Sequence, residues 1–209
     1  MSASSPSERF ERNVQRRSAN VLKQRVLDQQ RVEFEKALAW AAEHDAIERA
    51  AARIVSARRR YLLGNGKSRT YAALLATDLS AGLSGVHLVD GAAVRPLDVL
   101  ADIRQGDLMV AIVMSRYRRE TVSVAEAYVA HGGELVLITD ADDAPLTALA
   151  STRIVIGTDT ASYANSPTSV VLALHLLATL TIASSKGAGR RLHDRDALAA
   201  ELDLYVDPT

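Results

Sequence analysis

The chain has 209 residues, of which 48% are hydrophobic and 24% charged, and it contains no cysteine. This composition excludes a wholly disordered chain, a disulfide scaffold and a metal site built on cysteine ligands. The chain has 25 basic and 25 acidic residues, so its net charge is zero. Residues 1–60 contain 13 basic and 8 acidic residues and are therefore positively charged. The most apolar stretch, residues 170–183, is shorter than the ~20 residues of a membrane span. Since no secretory signal follows the arginines of residues 9–17, we expect a cytoplasmic protein with no membrane partner.

The first quarter of the chain is predicted to be helical on a strongly charged background. We expect residues 1–7 to form a disordered tail, within which Ser5 and Pro6 resemble a helix cap and first helical position. Apolar spacing then predicts helices over residues 8–31, 33–44 and 46–58, the last of them capped by Asp45. We interpret the basic excess as a solvated helix face, and a nucleic-acid-binding arm is the alternative.

Five short aliphatic runs follow, at residues 61–63, 86–89, 108–113, 135–138 and 153–156. They alternate with helical stretches at residues 67–81, 96–104, 119–131 and 168–185. Continuous aliphatic runs between helices indicate parallel strands that are covered on both faces. We therefore predict an α/β fold: a three-layer α-β-α sandwich with a five-stranded parallel sheet in the flavodoxin-like order 2-1-3-4-5. Residues 1–45 would form a tail and helical extension, and residues 46–209 the main domain.

The loop after the first predicted strand has the composition of an anion-binding turn. It reads Gly64, Asn65, Gly66, Lys67 and Ser68 and opens a helix. Glycines allow backbone N–H groups to converge, and the helix N-terminus adds partial positive charge. The dinucleotide fingerprint is not met, because Arg69 occupies the position of its third glycine.

The loop after the third predicted strand is rich in arginine and hydroxyl groups. The residues with groups suited to an anion are Ser115, Arg116, Tyr117, Arg118, Arg119 and Thr121. Both loops lie at the carboxyl edge of the sheet, at its switch point, where ligands of such folds bind. We therefore favour phosphate or another anion over an exposed basic turn.

Two further loops flank this edge of the sheet. Asp140, Asp142 and Asp143 could hold Mg²⁺, but Pro145 and Leu146 favour an acidic helix start instead, so we expect no metal and no cofactor. Ser166, before Pro167, is predicted to cap the long apolar helix, and contact with a sugar is a second role for it.

Motifs in the order of one family run from about residue 20 to residue 185. They are AIERAAARIVSARRRYLLGNGKS, QGDLMVAIVMSRYRRETVSVAEAYVAHGGELVLITD, APLTALAS and YANSPTSVVLALHLL. Together they resemble the SIS (sugar isomerase) domain and, within it, the effector domain of RpiR-type transcriptional regulators. The resemblance implies that residues 46–209 are a phosphosugar-binding SIS domain with sites between subunits of a homodimer or homotetramer.

The resemblance also implies roles for individual residues. Ser68, Ser115 and Thr121 should contact the phosphate of the ligand. In the second loop two positions depart from the family pattern, because Val113 replaces a serine and Arg116 replaces a glycine, and Asp143 and Ala144 stand where a serine often precedes the Pro-Leu pair. A valine donates no hydrogen bond, so the phosphate site would be weakened or rebuilt around the arginines of the loop.

Three functions remain open from the sequence. A non-catalytic phosphosugar sensor is favoured by the RY pair at Arg116 and Tyr117 and by the lack of an obvious base. An aldose–ketose sugar phosphate isomerase would need a base; Glu120 and His193 are the candidates. Direct DNA binding is not expected without a separate domain, because the first 58 residues contain no helix-turn-helix pattern.

Overall fold

The computed structural model describes residues 5–15 and 17–206. Five parallel strands form one sheet in the order β2-β1-β3-β4-β5, which confirms the predicted fold and strand order. The strands are β1 (Arg59–Leu63), β2 (Val86–Val89), β3 (Asp107–Val113), β4 (Glu134–Thr139) and β5 (Thr152–Val155). The helices are α1 (Pro6–Arg9), α2 (Ala19–Glu43), α3 (Ala46–Ser56), α4 (Lys67–Gly82), α5 (Pro96–Ala101), α6 (Arg119–Ala130), α7 (Thr168–Ser184) and α8 (Ala188–Glu201).

The sheet is apolar on both faces because helices cover both of them. Alternate residues of β3 enter two separate cores: Val110 and Ile112 pack with α3, α4 and α7, whereas Met109 and Ala111 pack with α5 and α6. This arrangement explains why the sequence of each strand is a continuous aliphatic run instead of an alternating pattern.

A buried ion cluster fixes the amino end of β3. The carboxylate of Asp107 is fully buried and accepts hydrogen bonds from Arg58, Arg59 and the backbone N–H of Arg104. Burial raises the pKa of this carboxyl, but these hydrogen bonds outweigh burial and lower it overall.

The N-terminal region differs from the prediction in where its helices break. One helix, α2, replaces the two predicted over residues 8–31 and 33–44, because no glycine or proline interrupts that stretch. The break instead precedes α2: Gln15 is extended with ψ 136° and the Ser18 hydroxyl accepts from the N–H of Val21. Residues 5–14, which we call the N-terminal segment, form α1 and a π-helical turn.

The predicted tail gives way to a helix that begins at Pro6. Ser5 caps α1 in a capping box with Glu8, so residues 5–7 belong to a helix start and not to a tail. Residues 1–4 lie outside the described part of the chain. A second correction concerns residues 142–149, which form turns where a helix start was predicted, and Leu146 there has φ 75°.

Helix α7 is the central helix of one layer. Its buried side chains, including Leu174 and Leu177, pack in the same core as those of α3 and α4. Among the described residues, no single helix has both the length and the apolar composition of a membrane span, and α7 with α8 meets those criteria only as a pair bent by 102°.

Candidate functional site

A cavity of about 620 Å³ opens at the carboxyl end of the sheet, above β1 and β3. This volume lies within the ~300–1,000 Å³ range of small-molecule sites. Its lining comprises Pro6, Arg9, Asn65, Lys67, Ser68, Tyr71, Ile112, Val113, Met114, Ser115, Arg116, Tyr117, Arg118, Arg119, Thr121, Thr158, Tyr163, Ala164 and Asn165. The first turns of α4 and α6 therefore both face the cavity, so the positive ends of two helix dipoles meet there.

The first loop is shaped by two glycines. A Cβ on Gly64 would lie 2.6 Å from the backbone oxygen of Ser68, so the close approach of the two residues requires glycine. Gly66 has φ 62°, and the Arg118 guanidinium lies 3.0 Å from where its Cβ would be. These contacts join the first loop to the second and leave Ser68 buried at the cavity wall.

The second loop contains an unusual backbone conformation. Arg116 has φ 64°, in the left-handed region, where a residue other than glycine loses roughly 1–2 kcal/mol. The next loop along the sheet supports it, because the Asp140 carboxylate accepts the Ser115 N–H at 2.9 Å and the Thr158 hydroxyl at 3.4 Å. In this conformation Arg116 lines the cavity.

Thr121 presents a hydroxyl that the protein itself does not satisfy. The residue is 1% exposed, lies in the first turn of α6 and lines the cavity. Its Oγ1 has no hydrogen-bond partner among the described residues. Because an unpaired buried hydroxyl is costly, this atom is suited to a ligand oxygen.

The third wall of the cavity comes from distant parts of the chain. The Arg9 guanidinium donates to the Asn165 side-chain oxygen, and the Asn13 amide donates to the Ser162 carbonyl at 3.3 Å. Lys67 Nζ donates to the carbonyl of the same Asn165. The N-terminal segment thus docks on the loop after β5 and becomes part of the site.

The cavity is strongly positive. Its described lining contains five cationic side chains and no carboxylate: Arg9, Lys67, Arg116, Arg118 and Arg119. None of these five forms a salt bridge within the part of the chain that the structure describes. Partial desolvation, and then the charge of Arg9, lower the pKa of Lys67, so these two cations repel each other.

Most of the predicted ligand-binding residues meet at this cavity. Asn65, Lys67, Ser68, Ser115, Arg116, Tyr117, Arg118 and Thr121 line it. Gly64 and Gly66 are outside the lining and set the course of the first loop. Ser166 donates to Gln30 and accepts the N–H of Thr168, but the cap position of α7 is held by Pro167, so Ser166 lies one residue before the predicted cap position and does not line the cavity.

The candidate bases lie elsewhere. Glu120 and His193 are exposed and line neither this cavity nor a neighbouring one of about 510 Å³. Across residues 5–15 and 17–206, no group of three or more His, Asp or Glu side chains is arranged to hold a metal ion.

Several lining residues were not predicted from the sequence. Arg9 belongs to a thinly apolar helix, and nothing local indicates that it reaches a site more than 150 residues away. Asn165 and Tyr163 lie beside the predicted Ser166, so the position of their loop after a strand was the available signal.

Comparison with solved structures places the fold among known proteins. An RpiR transcription factor sugar isomerase domain from Sphaerobacter thermophilus is 22% identical with a TM-score of 0.73, over 86% of this chain and 97% of that one. The Vibrio vulnificus NanR protein complexed with ManNAc-6P is 19% identical with a TM-score of 0.68, over 88% of this chain and 73% of that one. An E. coli CFT073 protein in complex with a sugar phosphate is 13% identical with a TM-score of 0.61, over 86% of this chain and 100% of that one.

Comparison at the level of sequence gives the family. No curated protein matches the chain significantly. The family model of the SIS domain matches residues 53–184, well over half of the chain and all five strands with both loops of the cavity. The chain therefore belongs to the SIS domain family.

Proposed function

We propose that the chain is a phosphosugar-binding sensor or regulator of the RpiR-like type that acts without catalysis. The observation that carries this proposal is the unpartnered hydroxyl of Thr121 at a cavity lined by cations without carboxylates. A phosphoryl group supplies both things that the site lacks, negative charge and strong hydrogen-bond acceptors.

The two loops provide complementary donors for such a group. Ser68 and Thr121 contribute hydroxyls from the first turns of α4 and α6. Arg118, whose guanidinium lies next to Gly66, adds a cationic donor at the same cavity. A phosphate here would be bound at two helix N-termini and by charge-assisted hydrogen bonds, which are roughly twice as strong as neutral ones.

Two structural neighbours support the ligand class. The Vibrio vulnificus NanR protein is complexed with ManNAc-6P, and the ligand of the E. coli CFT073 protein is also a phosphorylated sugar. Because both proteins share this fold, we propose a sugar phosphate as the ligand of this chain.

The isomerase alternative has less support. Moving a proton between two sugar carbons needs a base of suitable pKa close to the substrate. The described lining of the larger cavity contains neither a carboxylate nor an imidazole, and Glu120 and His193 lie outside it. This favours binding over turnover.

The same proposal includes how the protein acts. The ligand signal would pass through a homodimer or homotetramer, because apolar side chains of α2 and α8, including Leu27, Leu38 and Leu198, are about half exposed. We propose residues 1–45 as the extension and residues 46–209 as the SIS domain. Direct DNA binding would need a separate domain. Salt-dependent DNA binding by this chain that is lost when residues 1–31 are deleted would refute this and assign the binding to the N-terminal arm.

The first experiment is a thermal-shift screen against sugar phosphates, with the free sugars and inorganic phosphate as controls. A ligand at 100 times its Kd should stabilise the protein by about 2.7 kcal/mol, roughly 5–10 °C for a chain of this size. The thermal shift produced by a selective ligand should be much smaller in Ser68→Ala. It should be unchanged in Ser123→Ala, because Ser123 is exposed on α6. No shift with any sugar phosphate would refute the proposal, and turnover of the hit would favour the isomerase.

A further inference from the structure

The cavity carries more positive charge than one phosphate requires. A phosphate monoester brings about two negative charges at neutral pH. The described lining offers five cations, of which Arg116, Arg118 and Arg119 belong to the second loop. The two others, Arg9 and Lys67, come from different elements and need a separate explanation.

Arg9 and Lys67 converge on one residue of the loop after β5. Arg9 donates to the side-chain oxygen of Asn165, and Lys67 donates to its backbone oxygen. Both acceptors are neutral, and neither cation forms a salt bridge among the described residues. The charge of Arg9 contributes to lowering the pKa of Lys67. Two like charges held together are unfavourable unless an anion joins them.

Arg9 also has an unused donor. Its Nε–H is buried and has no partner among the described residues, although the guanidinium is held by Asn165. A buried donor without an acceptor indicates a missing oxygen next to it. Arg9 lines both the larger cavity, whose described lining has no carboxylate, and the neighbouring one, which contains Asp140 and Asp159. An anionic oxygen that accepts from Arg9 is therefore favoured on the side of the larger cavity.

We propose that Arg9 and Lys67 form a second anion-binding position, and that the ligand is a sugar phosphate carrying a second anionic group, a carboxylate or a second phosphate. This inference rests on the proposed function, since it assigns one end of the ligand to the loops of Ser68 and Thr121. The N-terminal segment then selects the ligand, because it brings Arg9 to the site.

Isothermal titration with matched ligand pairs tests the second position. 6-Phosphogluconate and glucitol 6-phosphate differ only in a carboxylate against a hydroxymethyl group, and fructose 1,6-bisphosphate differs from fructose 6-phosphate by one phosphate. We expect at least one doubly anionic ligand to bind tenfold or more tightly than its partner, as a charge-assisted hydrogen bond implies. The pair that shows the preference identifies the second group as a carboxylate or a phosphate.

Variants separate recognition from a structural role of the N-terminal segment. Arg9→Met and Lys67→Met should each reduce the preference to less than threefold, whereas Arg17→Met should leave it unchanged, because Arg17 is exposed and lines neither cavity. Equal weakening of both members of a pair by Arg9→Met would show that Arg9 only holds the segment in place, and would overturn the inference.

The remaining outcomes are also distinguishable. If the monophosphates bind and neither pair shows a preference, the second position is wrong while the proposed function stands. If none of the four ligands binds, the second position is overturned, and a flat sugar phosphate screen would overturn the proposed function with it.

Discussion

Replacing Thr121 with valine should change stability and binding in opposite directions. Valine keeps the shape of the side chain and removes only the hydroxyl, which is buried and has no described partner. Leaving such a group unsatisfied costs ~1–3 kcal/mol, so Thr121→Val should raise the free energy of unfolding by about 1 kcal/mol. For a chain of this size that corresponds to an increase in Tm of ~2–4 °C.

The same substitution should weaken the binding of the sugar phosphate. Losing a hydrogen bond to a charged phosphate costs ~1.5–3 kcal/mol, which corresponds to a roughly ten- to hundredfold higher Kd. Urea denaturation of the free protein and titration with the best sugar phosphate measure the two effects. Ser123→Ala, on the exposed side of the same helix, should change stability by less than ~0.5 kcal/mol. A Thr121→Val protein that is less stable by about 1 kcal/mol or more would refute the reasoning, since the hydroxyl would then have a partner in the free protein.

Three further substitutions test the loops and the sheet. Arg116→Gly should raise stability by ~0.5–1 kcal/mol in urea denaturation, because it removes left-handed strain, while sugar phosphate binding weakens; a less stable variant would contradict the strain argument. Asp107→Asn should lower the free energy of unfolding by about 2–4 kcal/mol at pH 7. Because the pKa of the native carboxyl is lowered, the difference in stability from the unaltered protein should shrink as pH falls through and below ~4. A difference that does not depend on pH would contradict the role of the ionised carboxylate. Gly64→Ala should lower the free energy of unfolding by ~1–3 kcal/mol and displace Ser68. Gly187→Ala is the control and should be tolerated, because nothing lies within 4 Å of its new Cβ. Equal effects of the two substitutions on thermal denaturation would show that the close approach of Gly64 to Ser68 is not rigid.

The sheet was predictable from the sequence because its signals are local. Each strand is a short aliphatic run that ends in a polar loop, and parallel crossovers leave few possible strand orders. The first and second loops were predictable for the same reason: the strand before each loop fixes the edge at which Ser68 and Thr121 lie.

The N-terminal segment could not be placed in the same way. Its docking depends on Arg9 and Asn13 meeting a loop at the other end of the chain, and no periodicity encodes such a contact. The predicted helix boundaries in this region differ from those in the structure because the start of α2 is marked by Ser18 and not by a glycine or proline. Residues 142–149 form turns and not the predicted helix start, and acidic residues before a proline are typical of both.

The docking of the N-terminal segment has a consequence for the order of assembly. Two of its contacts with the loop after β5 join residues that are 156 and 149 positions apart in the sequence. Such contacts have a high loop-closure cost and form late in folding. At a synthesis rate of ~5–20 residues per second, the segment would wait roughly 8–30 s on the ribosome before its partner loop exists. Helix α7, which packs on one face of the sheet, is synthesised after that loop. A nascent chain would therefore complete its binding site only while the last layer over the sheet is being added.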